Sequence, residues 1–136
     1  MNKIIASVIL SLIVVCAISC QKDSTTISPY IFFKKGAGYV SQDDTIAKGS
    51  VLTIGIITKR ASSTEILTRL SEVVTYDNTF DSTLSNIIIP SNTATDSFNH
   101  NYTINTRSIP GTEKYTFTIY DQNGSANTLK LTIRTE

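Results

Sequence analysis

KYTFTIYDQNGSANTLKLTI, residues 114–133, decides the fold class. Tyr115, Phe117 and Ile119 share one parity, while Lys114, Thr116, Thr118 and Tyr120 share the other. Successive side chains of a strand point to opposite faces, so this spacing predicts a strand with an apolar inner face and a mostly polar outer one. DQNG at 121–124 supplies a turn in which Gly124 can take a positive φ. Leu129, Leu131 and Ile133 then resume the alternation, and the two runs read as a β-hairpin.

Working outward, SFNHNYTINT (97–106) alternates in the same way. Phe98, His100, Tyr102 and Ile104 fall on one face, and Asn99, Asn101, Thr103 and Asn105 fall on the other. PYIFF (29–33) and SVLTIGIIT (50–58) predict two further strands, separated by a flexible bend at GAGY (36–39). Between 61 and 77 two readings compete. Ser62 and Glu65 form a potential capping box, with Ile66, Leu70 and Val73 at helical spacing. The β-branched run Val73, Val74, Thr75 favours a strand over 70–77 instead. Residues 78–96 are expected to form a long crossing with one short strand near Ile87–Ile89. The whole is all-β, about seven short strands with serine- and threonine-rich turns, which points to a β-sandwich. Without tryptophan, and with no cysteine beyond residue 20, the core does not follow the antibody pattern.

The opening twenty residues, MNKIIASVILSLIVVCAISC, have another character. Lys3 precedes an apolar run from Ile4 to Val15, followed by small residues, the layout of a secretory signal peptide. The run is short for a membrane span, which needs about 20 apolar residues. AISC at 17–20 resembles the lipobox of bacterial lipoproteins, in which the acylated cysteine becomes the first mature residue; Ser19 fits, and Ala17 stands where leucine is commoner. The expected organisation is a lipoprotein signal peptide over 1–19, a lipid-anchored polar tether over 20–28 beginning at acylated Cys20, and a sandwich domain over 29–136. Removing Lys3 with the signal leaves eleven cationic side chains against eleven anionic ones. That balance argues against a nucleic-acid surface.

FKKGAGYVSQDDTIAKGSVLTIGI (33–56) and GTEKYTFTIYDQNGSANTLKLTI (111–133) look like segments of small immunoglobulin-like lipoproteins of Bacteroidetes-type bacteria. The matching positions are Gly36, Gly38, Tyr39, Asp43, Gly49 and Gly55, then Tyr115, Phe117, Asp121 and Gly124. The chain is also similar to PKD, cadherin and fibronectin III modules. This resemblance implies an immunoglobulin-like β-sandwich anchored in a bacterial outer membrane, with glycans on Asp-Ser/Thr motifs at Ser24, Thr45 and Ser82.

Little in the sequence suggests catalysis. His100 is the lone histidine, on an expected inward strand face, where a packed histidine is the commoner role than a general base. Asp43 and Asp44 are adjacent but read as a solvated turn rather than a calcium site, and no phosphate-loop fingerprint occurs. No metal or cofactor is expected. Tyr30, Tyr39, Tyr76 and Tyr120 are candidate surface aromatics able to stack on a sugar or seat a protein. The expected function is non-enzymatic binding of an envelope protein or glycan. The alternative is a structural or assembly subunit pairing through a sheet edge, and a small hydrolase ranks last.

Overall fold

The hairpin of residues 114–133 lies in the middle of a five-stranded sheet. The computed structural model describes residues 27–90 and 96–136. Among them are eight strands: β1 (Tyr30–Phe33), β2 (Asp44–Ile46), β3 (Val51–Lys59), β4 (Leu67–Tyr76), β5 (Phe80–Ile88), β6 (Ser97–Asn105), β7 (Gly111–Asp121) and β8 (Ala126–Thr135). They form a three-stranded sheet, β1-β3-β6, facing a five-stranded one, β2-β8-β7-β4-β5. This is the immunoglobulin-like arrangement, in which the opening segment contributes to both sheets and the pair of hairpin strands β7 and β8 sits beside β4. The chain is an all-β sandwich, as its alternation predicted.

The core is built from the inner parities. Ile54 and Ile56 of β3, Leu70 and Val74 of β4, Tyr115, Phe117 and Ile119 of β7, and Leu131 and Ile133 of β8 are all buried. Rings interlock across the two sheets: Phe117 meets Phe33 edge-on at 6.2 Å and Tyr102 at 5.1 Å between centroids. At the DQNG turn, Asp121 accepts from the backbone N–H groups of Asn123 and Ser125, both at 2.8 Å, while Gly124 takes φ 82°. The turn is thereby closed from its own side chain.

Two expectations are corrected, and the choice over 61–77 is decided. The strand favoured over 70–77 forms as β4, flanked by both β5 and β7, and the competing helical reading falls away. Glu65 still accepts weakly from the N–H groups of Ala61 and Ser62, so the local capping contact forms on a turn without a helix behind it. The expected long crossing over 78–96 is replaced in its first half by the nine-residue strand β5. Asp77 and Asn78, at φ 49° and 60°, make the tight turn that returns the chain antiparallel to β4. As an edge strand β5 needs little apolar sequence, so its polarity concealed it. Asp43 and Asp44 are solvent-exposed as expected, but Asp44 opens strand β2 rather than a turn, and β2 runs parallel to β8. Asp43 fixes that register by accepting from Thr132 N at 2.8 Å.

Gly55 holds a close approach. A Cβ there would lie 2.7 Å from Lys34 Cβ and 3.0 Å from the Tyr39 ring, which folds down onto β3 after the GAGY bend. Lys34 Nζ donates to Tyr39 Oη at 2.7 Å, and this hydrogen bond lowers the phenol's pKa. Gly55→Val should evict the ring and cost about 1–3 kcal/mol of stability. Urea unfolding monitored by tyrosine fluorescence checks this; a loss under about 0.5 kcal/mol would mean the ring does not depend on the glycine.

Candidate functional site

Two surfaces carry features that core packing does not explain. The first is the outer face of the three-stranded sheet. Tyr30 and Phe32 alternate with buried Ile31, so both rings point outward, stacked 6.3 Å apart and within 12° of parallel. They are 47% and 49% exposed. Half-buried Ile57 is the cross-strand partner of Phe32, and Lys59 is that of Tyr30. Farther along β3, Tyr39 covers Gly55 and approaches the Asn101 side-chain amide.

Of the four candidate tyrosines, only Tyr30 and Tyr39 share this side of the molecule. Tyr120 lies half-buried on β7 with the Arg69 guanidinium 4.0 Å from its ring centroid. Tyr76 closes one end of the inter-sheet space near Arg107, and burial raises its pKa. Phe32 completes the exposed stack and was not singled out as a site residue; the i, i+2 spacing of Tyr30 and Phe32 was the available signal. Thr45 is exposed on β2, and Ser82 is half-buried opposite Val74. Cys20, Ser24 and the signal segment 1–19 lie outside the described residues.

The second surface is a groove of about 380 Å³ where the two sheets part, between β4–β5 on one side and β6 on the other. Glu72 belongs to the inner parity of β4, between Leu70 and Val74, and is only 3% exposed. The Ser85 hydroxyl donates to Glu72 Oε2 at 3.1 Å, whereas Oε1 has no partner in the protein. Burial pushes this carboxyl up to about 7, and the serine only partly offsets it. A β-bulge follows at once: Glu72 opposes Ser85, but Val73 opposes Thr83, leaving Leu84 unpaired at the groove. Such an extra residue bends the strand locally and re-aims its neighbours.

The opposite wall comes from β6. Tyr102 is 5% exposed, and its hydroxyl also has no partner in hydrogen-bond geometry, although Ser85 faces it. Desolvation pushes the phenol up to about 12. His100 is half-buried beside it, its ring 4.7 Å from Tyr102 and stacked nearly parallel to Phe98 at 6.4 Å. The packed-histidine expectation thus describes its surroundings, but one side faces the groove. Among the described residues no hydrogen bond joins His100 to a hydroxyl or carboxylate, and no three metal-ligating side chains converge.

The free backbone edge of β6 lies along this groove. Gly55 and Thr53 of β3 send their carbonyls away from β6, to Lys34 N at 2.8 Å and Val40 N at 2.9 Å. In an antiparallel ladder their opposite residues, Asn101 and Thr103, then turn their own N–H and C=O groups outward. Glu72 and Ser85 escaped the sequence reading. Glu72 lies within the strand favoured over 70–77, and its two-residue spacing from Leu70 and Val74 was the available signal.

No family model matches the chain, and no curated protein matches it. Solved structures do share its fold. A family 123 glycoside hydrolase from Clostridium perfringens superposes with a TM-score of 0.56 at 8% identity, over 81% of this chain and 27% of that one. The superoxide reductase (neelaredoxin) from Ignicoccus hospitalis gives 0.53 at 7% identity, over 81% of each chain. A β-glucosidase from Listeria innocua gives 0.51 at 8% identity, over 78% of this chain and 16% of that one. At such identities the likeness is one of fold alone.

Proposed function

We propose that the chain is a lipid-anchored, non-enzymatic binding module of a bacterial cell envelope, of the small immunoglobulin-like lipoprotein type. The observation that carries the binding half is the parallel Tyr30–Phe32 stack, held outward on a strand while its neighbours are buried. Ring faces of this kind offer apolar area at low entropic cost to a sugar face or a protein loop. The anchor half rests on AISC at 17–20, ten residues before Tyr30. Acyl chains there would hold the sandwich beside the membrane, since two or more chains anchor stably where one does not.

A second reading, an assembly subunit pairing through a sheet edge, draws on the open side of β6 and would show as self-association in sedimentation.

The experiment is intact-mass analysis of the protein isolated from its native membrane, beside a Cys20→Ala variant. The expected mass is that of residues 20–136 plus acyl groups, absent from the variant. An unacylated mature form in the medium would overturn the anchor and move the search for partners to secreted targets.

A further inference from the structure

Resting on the binding-module reading, we propose that the groove between β5 and β6 is a site for an extended peptide, which pairs with the free edge of β6 and lays a lysine or arginine side chain against Glu72 and Tyr102. Two independent observations meet there. Asn101 and Thr103 present backbone donors and acceptors outward along the groove, which is what an added strand requires. Beneath them, Glu72 Oε1 and Tyr102 Oη are buried oxygens that no protein group meets in hydrogen-bond geometry, although Ser85, already donating to Glu72, faces the phenol. Leaving such groups unmatched costs stability, so they mark a place where a ligand's donors are rewarded.

The class of side chain follows from the charge. Ser85 on β5, Tyr76 on β4, Tyr115 on β7, and Tyr102 and His100 on β6 line the same space, and no lysine or arginine is among the lining residues. The groove therefore holds a carboxyl without a counter-charge. An ammonium has three donors and no acceptor, which matches two unpartnered oxygens, whereas an apolar side chain would leave both orphaned. The bulge at Leu84 contributes an exposed apolar shoulder for the methylene stem.

Because burial holds the Glu72 proton on near neutral pH, seating a cation must release it. If only the carboxylate form accepts the cation, affinity rises about tenfold between pH 6 and pH 8 by linkage. His100, Tyr76, Tyr102 and Tyr115 face the same space, so a His100→Gln variant isolates the contribution of Glu72 from that of the imidazole.

The probe is a blocked pentapeptide, Thr-Val-Lys-Val-Thr, compared with its norleucine counterpart and with the lysine peptide N-methylated along its backbone. They are titrated into the full chain labelled with nitrogen-15, with affinities from calorimetry. The lysine peptide is expected to shift the amides of Asn99 to Asn105 and to bind at least about tenfold tighter than the norleucine peptide. N-methylation should abolish binding, and Glu72→Gln should erase the preference for lysine while leaving the norleucine peptide unchanged. Absence of shifts at millimolar peptide, equal binding of lysine and norleucine peptides, or unimpaired binding of the N-methylated peptide would each overturn the site. Self-association of the unliganded chain through β6 would overturn it too. None of these outcomes alters the mass of the native protein, so failure here is distinguishable from failure of the anchored-module reading.

Discussion

Phe117→Ala is expected to remove about 3–5 kcal/mol of unfolding free energy, the largest single loss we anticipate in the sandwich. Phe117 has no exposed surface and occupies the inner face at the middle of β7, opposite Glu72 on β4 and Leu129 on β8. Its ring meets Phe33, at the end of β1, and Tyr102, on β6, so it joins both outer strands of the smaller sheet to the larger one. Truncation would lose the transfer energy of the ring and leave a cavity between sheets that cannot collapse without sliding past each other. No disulfide is available within the sandwich to hold them, because both cysteines precede residue 21. A small domain has about 5–15 kcal/mol in total, so the variant should lie near the edge of folding. Equilibrium urea unfolding is the measurement. Phe117→Leu, which keeps most of the volume, should cost about 1–2 kcal/mol. If the alanine variant lost less than about 1 kcal/mol, the ring would not be the inter-sheet linchpin that its contacts describe.

The same residue explains what the sequence made legible. Phe117 belongs to a long alternating run, and period-two patterning survives wherever a strand has one wet face and one dry face. β7 and β8 satisfy that condition, as do β3 and β6. β5 does not, because Phe80–Ile88 lies at a sheet edge and interposes serine, threonine and asparagine where an interior strand would have aliphatics. β2 is three residues long, too short for any period, and its pairing depends on β8, some ninety residues later. The groove was hidden for a different reason. Glu72 sits at a position that parity assigns to the core, and a carboxyl there is interpretable only once Ser85 and Tyr102 are known to face it. Glu113 is the parallel case: fully buried, it accepts from Arg107 N at 2.8 Å and from the Tyr115 hydroxyl. Those partners come from local neighbours, so that acid is satisfied where Glu72 is not. Parity locates a buried acid, but only tertiary contacts separate a structural one from one left open to a ligand.

That difference gives Glu72 a stability signature. Its folded-state pKa, about 7, lies above the ordinary value of 4.5 taken for the unfolded chain. Between those values the folded form binds the proton more tightly, so unfolding releases it and stability falls as pH rises. Below 4.5 both states are protonated and no penalty applies; above about 7 the penalty is complete. A shift of that size corresponds to something on the order of 3 kcal/mol across the window. Asp77 acts in the opposite sense and in a different range. The Arg107 guanidinium, bound to both its oxygens at 2.6 Å, holds its carboxyl near 2, so its contribution is present above 3.8 and lost as pH falls toward 2. The two effects therefore do not overlap. Glu72→Gln retains an acceptor for Ser85 but cannot ionise, and it should flatten the decline between pH 5 and pH 8. At pH 8 the variant should be more stable than the parent by about 3 kcal/mol, and at pH 5 by only about 1 kcal/mol. Urea unfolding at the two pH values measures both numbers. A stabilisation equal at pH 5 and pH 8 would mean the substitution acts through packing alone. A destabilisation at pH 8 would mean that the carboxylate is already matched by a cation, and that the groove is not the uncompensated site its two orphaned oxygens describe.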